Sequence, residues 1–223
     1  GTLDEFGISA ESCKKLFSFE GFDSVMDPSI NEAGVLTINV KSTAKRGKGT
    51  IQTTLEFSPE NTKDVHVGLM TVDSGQNKGI GKDFMDRVET FARENKKETL
   101  SLFADISIGR YAWAKIGFEA YEGRMTTVKE GMYLWAEKRS GISGSNLTKM
   151  KKEIDNLKTI KDVAAFSYPG ISGTKEHFEK KKILDNVDLK SNTGEIIQFG
   201  KAFLLDDNYK FYSSWDGVRK VGK

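Results

Sequence analysis

The sequence predicts a mixed α/β (α+β) fold in which a mostly antiparallel central sheet is flanked by helices. Residues 34–43 and 49–57 are two β-branched runs of alternating polarity, joined by a short basic turn that is typical of a hairpin. Residues 65–72 form a third apolar, β-branched run, and residues 82–97 carry apolar side chains at helical spacing. These patterns predict an antiparallel meander that leads into a loop and a helix.

Length and composition fit an ordinary globular protein. The 223 residues are 37% hydrophobic and 30% charged, and the formal net charge of +2 gives no argument for nucleic acid or membrane partners. No apolar run approaches membrane-spanning length, and no signal peptide is visible. The single Cys13 excludes an internal disulfide and suits a reducing compartment, so the expected localisation is cytoplasmic. The chain begins with Gly1, which leaves open a tag remnant, a processed product and a piece of a longer chain.

The N-terminal third is predicted element by element. Ser9 is a good N-cap for a short helix over residues 10–17, whereas residues 19–31 mix apolar and turn residues and receive no assignment. The basic turn at residues 44–48 is interpreted as a solvated hairpin tip that protects an edge from aggregation. A phosphate contact is the alternative.

The region after the predicted core is expected to close the sheet and then extend it. Residues 119–125 and 126–137 are predicted to form one or two closing strands, and residues 140–145 a flexible joint. We therefore predict a core domain over residues 1–140 and a C-terminal α/β extension over residues 141–223, packed on the core.

The extension is predicted to contain one long helix and a hairpin. Apolar side chains recur at helical spacing over residues 147–163 in a lysine-rich segment. Residues 174–184 are charged, and residues 194–205 and 209–215 are predicted to pair as a hairpin around residues 206–208.

The loop after residue 72 has the features of an anion cradle. A strand, a glycine-bearing loop and a helix present free backbone N–H groups at the positive end of the helix dipole, and Gly79 and Gly81 allow close approach. The dinucleotide fingerprint is excluded because its third glycine is absent near Met85. The nucleotide P-loop is excluded because Lys82 is followed by Asp83.

Two motifs resemble those of the GNAT superfamily of N-acetyltransferases. Gln76-x-x-Gly79-x-Gly81 matches that family's Q/R-x-x-G-x-G/A pattern, and residues 111–119 resemble its second motif, which ends in Y-x-K-x-G-F. The resemblance is strong over about residues 65–121. It implies a GNAT fold and an N-acetyltransferase that moves acetyl from the cosubstrate acetyl-CoA to an amine of a small molecule or protein, without a metal.

The resemblance also implies which residues bind CoA. Main-chain groups of the loop would hold the pyrophosphate, and the strand before it would hold the pantetheine arm. The implied positions are Met70, Val72, Gln76, Asn77, Lys78, Gly79, Ile80, Gly81 and Lys82. The Val72 amide would polarise the thioester carbonyl and stabilise the oxyanion. A tight β-to-α turn without a ligand is the competing interpretation.

Aminolysis of a thioester requires a neutral amine, so a base must remove a proton from the ammonium form. His66 is the candidate, because strict alternation along a strand would place it on the same face as Met70 and Val72. A structural histidine satisfied by a neighbour is the alternative. Asp64 and Glu56 are weaker candidates for the base, since solvated carboxylates are common.

The acid position departs from the family pattern. Trp113 stands where the family has the tyrosine that protonates the departing thiolate, and an indole N–H cannot transfer a proton at neutral pH. Tyr111 lies on a different helix face, and Tyr121 and Tyr133 are possible substitutes.

A second, looser resemblance covers more of the chain. Residues 109–118, together with Val65-His66, residues 200–205 and the Trp215-x-Gly217 motif, look like GNAT-like domains of bacteriophage virion and head-morphogenesis polypeptides. It implies an alternative function: a degenerate GNAT-fold structural or interaction module that binds CoA without catalysis, as part of a larger phage assembly or polyprotein, located in the virion.

Overall fold

The computed structural model describes residues 2–18, 20–46, 49–73, 80–104, 107–183 and 194–222. Within these ranges, none of the helices combines the length and the apolarity that crossing a membrane would require.

The described strands form a seven-stranded sheet and a separate two-stranded one. The strands are β1 (Phe22–Ile30), β2 (Leu36–Ala44), β3 (Thr50–Phe57), β4 (Asp64–Asp73), β5 (Thr99–Ala104), β6 (Glu119–Ala120), β7 (Ser172–Gly173), β8 (Ile197–Gln198) and β9 (Trp215–Lys220). The large sheet has the order β1-β2-β3-β4-β5-β9-β6, and β7 pairs with β8. Strands β1 to β4 form an antiparallel meander, and β4 pairs with β5 in parallel. The predicted mixed, mostly antiparallel sheet with flanking helices is confirmed.

Ten α-helices lie among the described residues. They are α1 (Thr2–Glu5), α2 (Ala10–Phe17), α3 (Ile80–Glu94), α4 (Ser107–Lys115), α5 (Arg124–Arg139), α6 (Gly144–Asp155), α7 (Ile160–Ala165), α8 (Lys175–Lys180), α9 (Phe199–Leu205) and α10 (Lys210–Ser213). The Ser9 cap of α2 is confirmed, since the Ser12 amide donates to Ser9 Oγ at 3.1 Å.

The chain divides into two units, Gly1–Leu102 with Val218–Lys223, and Phe103–Gly217. Neither boundary lies at residue 140, where the sequence analysis divides the chain. Helices α5 and α6, on either side of that residue, pack on each other within the second unit.

The core of the first unit follows the predicted alternation. One face of β2, β3 and the start of β4 is buried, and α3 contributes an apolar face at helical spacing. The buried side chains are Leu36, Ile38, Val40, Ile51, Leu55, Phe57, Val65 and Val67 from the strands, and Phe84, Met85, Val88, Phe91 and Ala92 from α3. The segment left unassigned, residues 19–31, contains β1, which pairs with β2 along its whole length.

The predicted closing strands are wrong except for β6, a two-residue strand at the end of the large sheet. Only residues 119–120 are extended, and a sixteen-residue helix, α5, follows. Val128, Met132 and Trp135 are buried at intervals of four and three residues, which is helical spacing. Burial of this stripe outweighs the β-branched and aromatic composition that suggested strands.

The predicted single long helix is two helices, α6 and α7. A capping box starts the second one: Thr159 Oγ1 accepts from the Asp162 amide at 3.1 Å, and the Asp162 carboxylate accepts from the Thr159 amide at 2.9 Å. The sequence signals for this helix start are Thr159 and Asp162, three residues apart. The apolar spacing continues across them and therefore suggested a single helix.

The predicted C-terminal hairpin is also wrong. Residues 199–205 form α9, which is buried along its length, and a 3₁₀ turn and α10 lead into β9. Six of the seven residues of α9 are buried, and so short an apolar run has no clear period that distinguishes a helix from a strand. The carboxylate of Asp206 accepts from the Asn208 amide at 3.1 Å and so caps the 3₁₀ turn instead of closing a hairpin.

Candidate functional site

The strand and the helix that flank the predicted cradle are present, because β4 ends at Asp73 and α3 begins at Ile80. The central residues of the predicted CoA site, Gln76, Asn77, Lys78 and Gly79, lie outside the described residues, as does the side chain of Ile80. Gly81, Lys82, Met70 and Val72 are described. The site can therefore be built from both ends of the loop.

A β-bulge interrupts β4 at Gly68. Leu55 of β3 lies opposite Val67 and Thr54 lies opposite Leu69, so Gly68 has no partner on β3. A Cβ on Gly68 would stand 2.6 Å from Glu56 Oε1, which means that the Glu56 side chain fills the space above this glycine.

The bulge changes which side chains share a face. His66 lies opposite Glu56, whereas Val72 lies opposite Ile51, which is buried on the other face of β3. Met70 shares the face of Val72, two residues away. The prediction that His66 shares a face with Met70 and Val72 is therefore wrong, because the extra residue reverses the alternation that the prediction assumed.

The second half of β4 provides an edge for an extended ligand. Parallel pairing with β5 runs from Asp64 to Val67, while β4 continues to Asp73 along β3. The Leu69 carbonyl accepts from the Thr53 hydroxyl at 2.7 Å and so points toward β3. Because successive backbone groups alternate in direction, the N–H groups of the residues at positions 70 and 72 point to the opposite edge. No described strand of the first unit pairs with that edge beyond Val67.

The first turn of α3 lies against the same part of β4. A Cβ on Gly81 would meet Val72 Cγ2 at 3.4 Å and Met70 Cε at 3.5 Å, which is ordinary contact. Lys82 Nζ donates to Asp86 at 2.7 Å, and this hydrogen bond and the Asp86 charge raise the pKa of Lys82. The helix N-terminus therefore offers backbone N–H groups and a cation that Asp86 partly neutralises.

The opposite face of the sheet carries a polar cluster around His66. His66 Nδ1 lies 2.9 Å from Ser101 Oγ, and the Ser101 hydroxyl donates to Asp64 Oδ2 in a short hydrogen bond. Thr99 Oγ1 donates to the other oxygen of Asp64 at 2.6 Å. Sequence reasoning missed Ser101 and Thr99. Their alternation in β5 was visible, but their position beside β4 depends on the parallel register.

Lys97 interacts with this cluster through its charge. Its ammonium is buried and donates to the carbonyls of Phe6 at 2.6 Å and Thr62 at 2.7 Å. Burial lowers the pKa of Lys97, and attraction to the Asp64 charge opposes that shift. Asp64 is therefore attracted to the Lys97 charge and accepts hydrogen bonds from two hydroxyl groups.

We expect Lys97→Met to lower the free energy of unfolding at pH 7 by about 1–3 kcal/mol, because two carbonyls lose their donor. The pKa of Lys97 is lower in the folded protein than its ordinary value of 10.5. At pH values between the two, the unfolded chain therefore binds more protons than the folded chain. The contribution of Lys97 to stability thus rises with pH in that interval, and the slope should be absent in the variant. Urea denaturation at several pH values checks both. Lys41→Met, an exposed position on β2, is the control, and equal stability of the two variants would contradict the expectation.

Trp113 is a packing residue of the second unit. Its ring lies edge-on to Phe118, with centroids 5.7 Å apart and planes at 69°. The indole Nε1 stands 3.2 Å from where a Cβ on Gly109 would be. These contacts fill the space between α4 and the chain that follows it, so the indole stabilises the end of this helix.

Tyr111, which was set aside as the acid, and the two tyrosines proposed as substitutes are also in the second unit. The Tyr111 ring faces the ammonium groups of Lys115 at 5.6 Å and Lys201 at 5.2 Å. The Tyr133 hydroxyl donates to Asp155, and Tyr121 is half exposed. The assignment of an acid to either of the last two residues stays a prediction.

Comparison of the chain with protein-family models, curated proteins and solved structures found no match. Among the described residues, no group of three or more His, Cys, Asp and Glu side chains could hold a metal ion. The resemblance to the GNAT superfamily thus stays a prediction that rests on the motifs.

Proposed function

We propose that the protein is an N-acyltransferase that transfers acetyl from acetyl-CoA to an amine. The observation that carries the proposal is the path of β4, which loses its partner β5 after Val67 and continues along β3 to Asp73, seven residues before α3 begins. An edge of this kind, leading to the N-terminus of a fifteen-residue helix, fits a ligand with an extended amide-containing arm and an anionic end.

The two ends of CoA have separate partners in this proposal. The pantetheine amides bond to the outward-directed backbone groups of Met70 and Val72, as an added strand would. The pyrophosphate lies on the backbone of residues 76–82, where the α3 dipole and Lys82 favour negative charge. The absence of a side chain at Gly81 keeps this surface open, since Met70 and Val72 already pack against it.

The reacting carbonyl is assigned to the region of Gly68. His66 and Val72 are six residues apart, which is about 20 Å along a strand, whereas a base must lie within about 3 Å of the proton it removes. Both cannot act on one carbonyl. We therefore propose that Val72 holds the arm and that the thioester lies where β4 departs from β5, close to His66 and Glu56.

The acceptor amine approaches from the face that bears His66 and Glu56. His66 removes a proton from the attacking ammonium, the amine nitrogen bonds to the carbonyl carbon, and the carbon–sulfur bond breaks. The acylated nitrogen gives up its second proton to the departing CoA sulfur, so the step balances without a proton from Trp113. The Glu56 carboxylate, opposite His66 on β3, favours a cationic acceptor at this face.

Calorimetric titration with CoA tests the cradle. Gly81→Glu places a carboxylate where the pyrophosphate should lie, and we expect binding to be lost. Gly81→Ala is the matched control, because its methyl group makes only ordinary contacts with Val72 and Met70. Unaltered CoA affinity in the glutamate variant, with the fold intact by circular dichroism, would overturn the assignment.

A second candidate function is a CoA-binding structural or interaction module without catalysis, of the kind found in larger phage assemblies. The observation that favours it is Trp113, which occupies the acid position and packs against Phe118. CoA binding without acetylation of any amine in a panel of polyamines, aminoglycosides and lysine peptides would support this module over the enzyme.

A further inference from the structure

The polar cluster at the junction of β4 and β5 has a defined direction of hydrogen bonding. Asp64 lies opposite Thr99 and His66 lies opposite Ser101 in the parallel register. Side chains that are opposite each other, or two residues apart, share one face of a sheet, so all four meet there. Ser101 is buried and stands between the carboxylate and the imidazole.

The number of hydrogens in the cluster determines the state of the imidazole. A carboxylate accepts hydrogen bonds and donates none, so the Ser101 hydroxyl gives its single hydrogen to Asp64 Oδ2. The Ser101 oxygen can then only accept from His66 Nδ1, which lies 2.9 Å away. A neutral imidazole carries one hydrogen, so placing it on Nδ1 leaves the lone pair on Nε2.

We infer that Ser101 is a positioning residue. Its hydroxyl donates to Asp64, so its oxygen accepts from His66 and holds the imidazole with its hydrogen on Nδ1. Thr99 contributes by occupying the second oxygen of Asp64, which directs the first toward Ser101. The bare Nε2 is then the proton acceptor on the face where the amine arrives. This last step rests on the proposed function, whereas the protonation state of the ring does not.

Nitrogen-15 NMR on histidine-labelled protein reads the position of the hydrogen directly. The chain has two histidines, so His177→Gln leaves His66 as the only signal. At about pH 8.5, where a free imidazole is neutral, we expect long-range proton–nitrogen correlations that show a protonated Nδ1 and an unprotonated Nε2. A spectrum of this protein with the hydrogen on His66 Nε2 would overturn the inference. This test requires no substitution within the cluster.

Two substitutions of Ser101 then test whether its hydroxyl holds the hydrogen on His66 Nδ1. Ser101→Ala removes the acceptor, and we expect the Nδ1-protonated fraction to fall. Ser101→Thr keeps the hydroxyl on a residue that suits a strand, and we expect it to restore the parent spectrum. An alanine variant with an unchanged spectrum would show that Ser101 does not position the ring.

Enzyme kinetics supply a second reading. In an active enzyme, Ser101→Ala should lower kcat with the KM for acetyl-CoA unchanged, by less than the ~10²–10⁴-fold expected for loss of the base itself. The NMR spectrum is recorded without CoA or amine. The tautomer therefore tests the inference about Ser101, whereas acetyl transfer tests the proposed function, and either can fail without the other.

Discussion

Replacing His66 by glutamine is expected to lower the rate of acetyl transfer by ~10²–10⁴-fold, the usual cost of losing a general base. Glutamine fits a half-buried strand position and can still reach Ser101, but it has no lone pair on nitrogen that accepts a proton at neutral pH. CoA affinity should not change, because the proposed complex holds the arm at Met70 and Val72 and the pyrophosphate at residues 76–82, away from His66. Steady-state kinetics with acetyl-CoA, together with calorimetry on the same samples, measures both quantities.

His177→Gln is the matched control for this change. It replaces the only other histidine, which lies on α8 in the second unit, and it should leave turnover unchanged. If the His66→Gln enzyme keeps full activity, the base lies elsewhere or the amine arrives already neutral. Glu56→Gln, at the position opposite His66, would then be the next variant to measure.

Gly200→Ala is expected to destabilise the second unit by about 3 kcal/mol or more, which is at or above the upper range for overpacking. A Cβ on Gly200 would stand 1.8 Å from the backbone carbonyl oxygen of Val163 and 3.2 Å from the Phe166 nitrogen. These are backbone atoms of α7 and its C-terminal end, so they cannot move aside as a side chain could. The Gly200 amide also donates to the Phe166 carbonyl at 2.9 Å, and separating the two segments would break this bond.

Gly109→Ala, in α4 of the same unit, is the control for that experiment. Its methyl group would meet only the Trp113 side chain, at 3.2 Å, and alanine gains about 0.5–1 kcal/mol over glycine within a helix. Urea denaturation followed by circular dichroism should show a large loss of stability for Gly200→Ala and a small change for Gly109→Ala. Equal midpoints would mean that α9 can shift away from α7 at little cost.

Sequence patterns alone determined the elements whose burial is one-sided. The hairpin of β2 and β3 and the helix α3 each show one clear period, because one face packs on the core and the other faces water, and β4 was recognisable as an apolar, β-branched run. The glycines of the predicted cradle stand between a strand signal and a helix signal in the sequence, but residues 74–79 lie outside the described part of the chain. The helices α5 and α9 were misread as strands, because local composition favours strands in α5, and the burial of six of the seven residues of α9 leaves no clear period.

Tertiary structure decided which side chains of the candidate site meet. The pairing of β3 with β4 skips Gly68, and this one-residue shift places His66 on the face opposite Met70 and Val72. The parallel register of β4 and β5, more than thirty residues apart in the chain, brings Ser101 to His66. The sequence of a strand indicates how its side chains alternate between the two faces. The register in which it pairs with another strand is set by packing and hydrogen bonding between the two. The identity of the residues beside His66 could therefore be known only from the folded sheet.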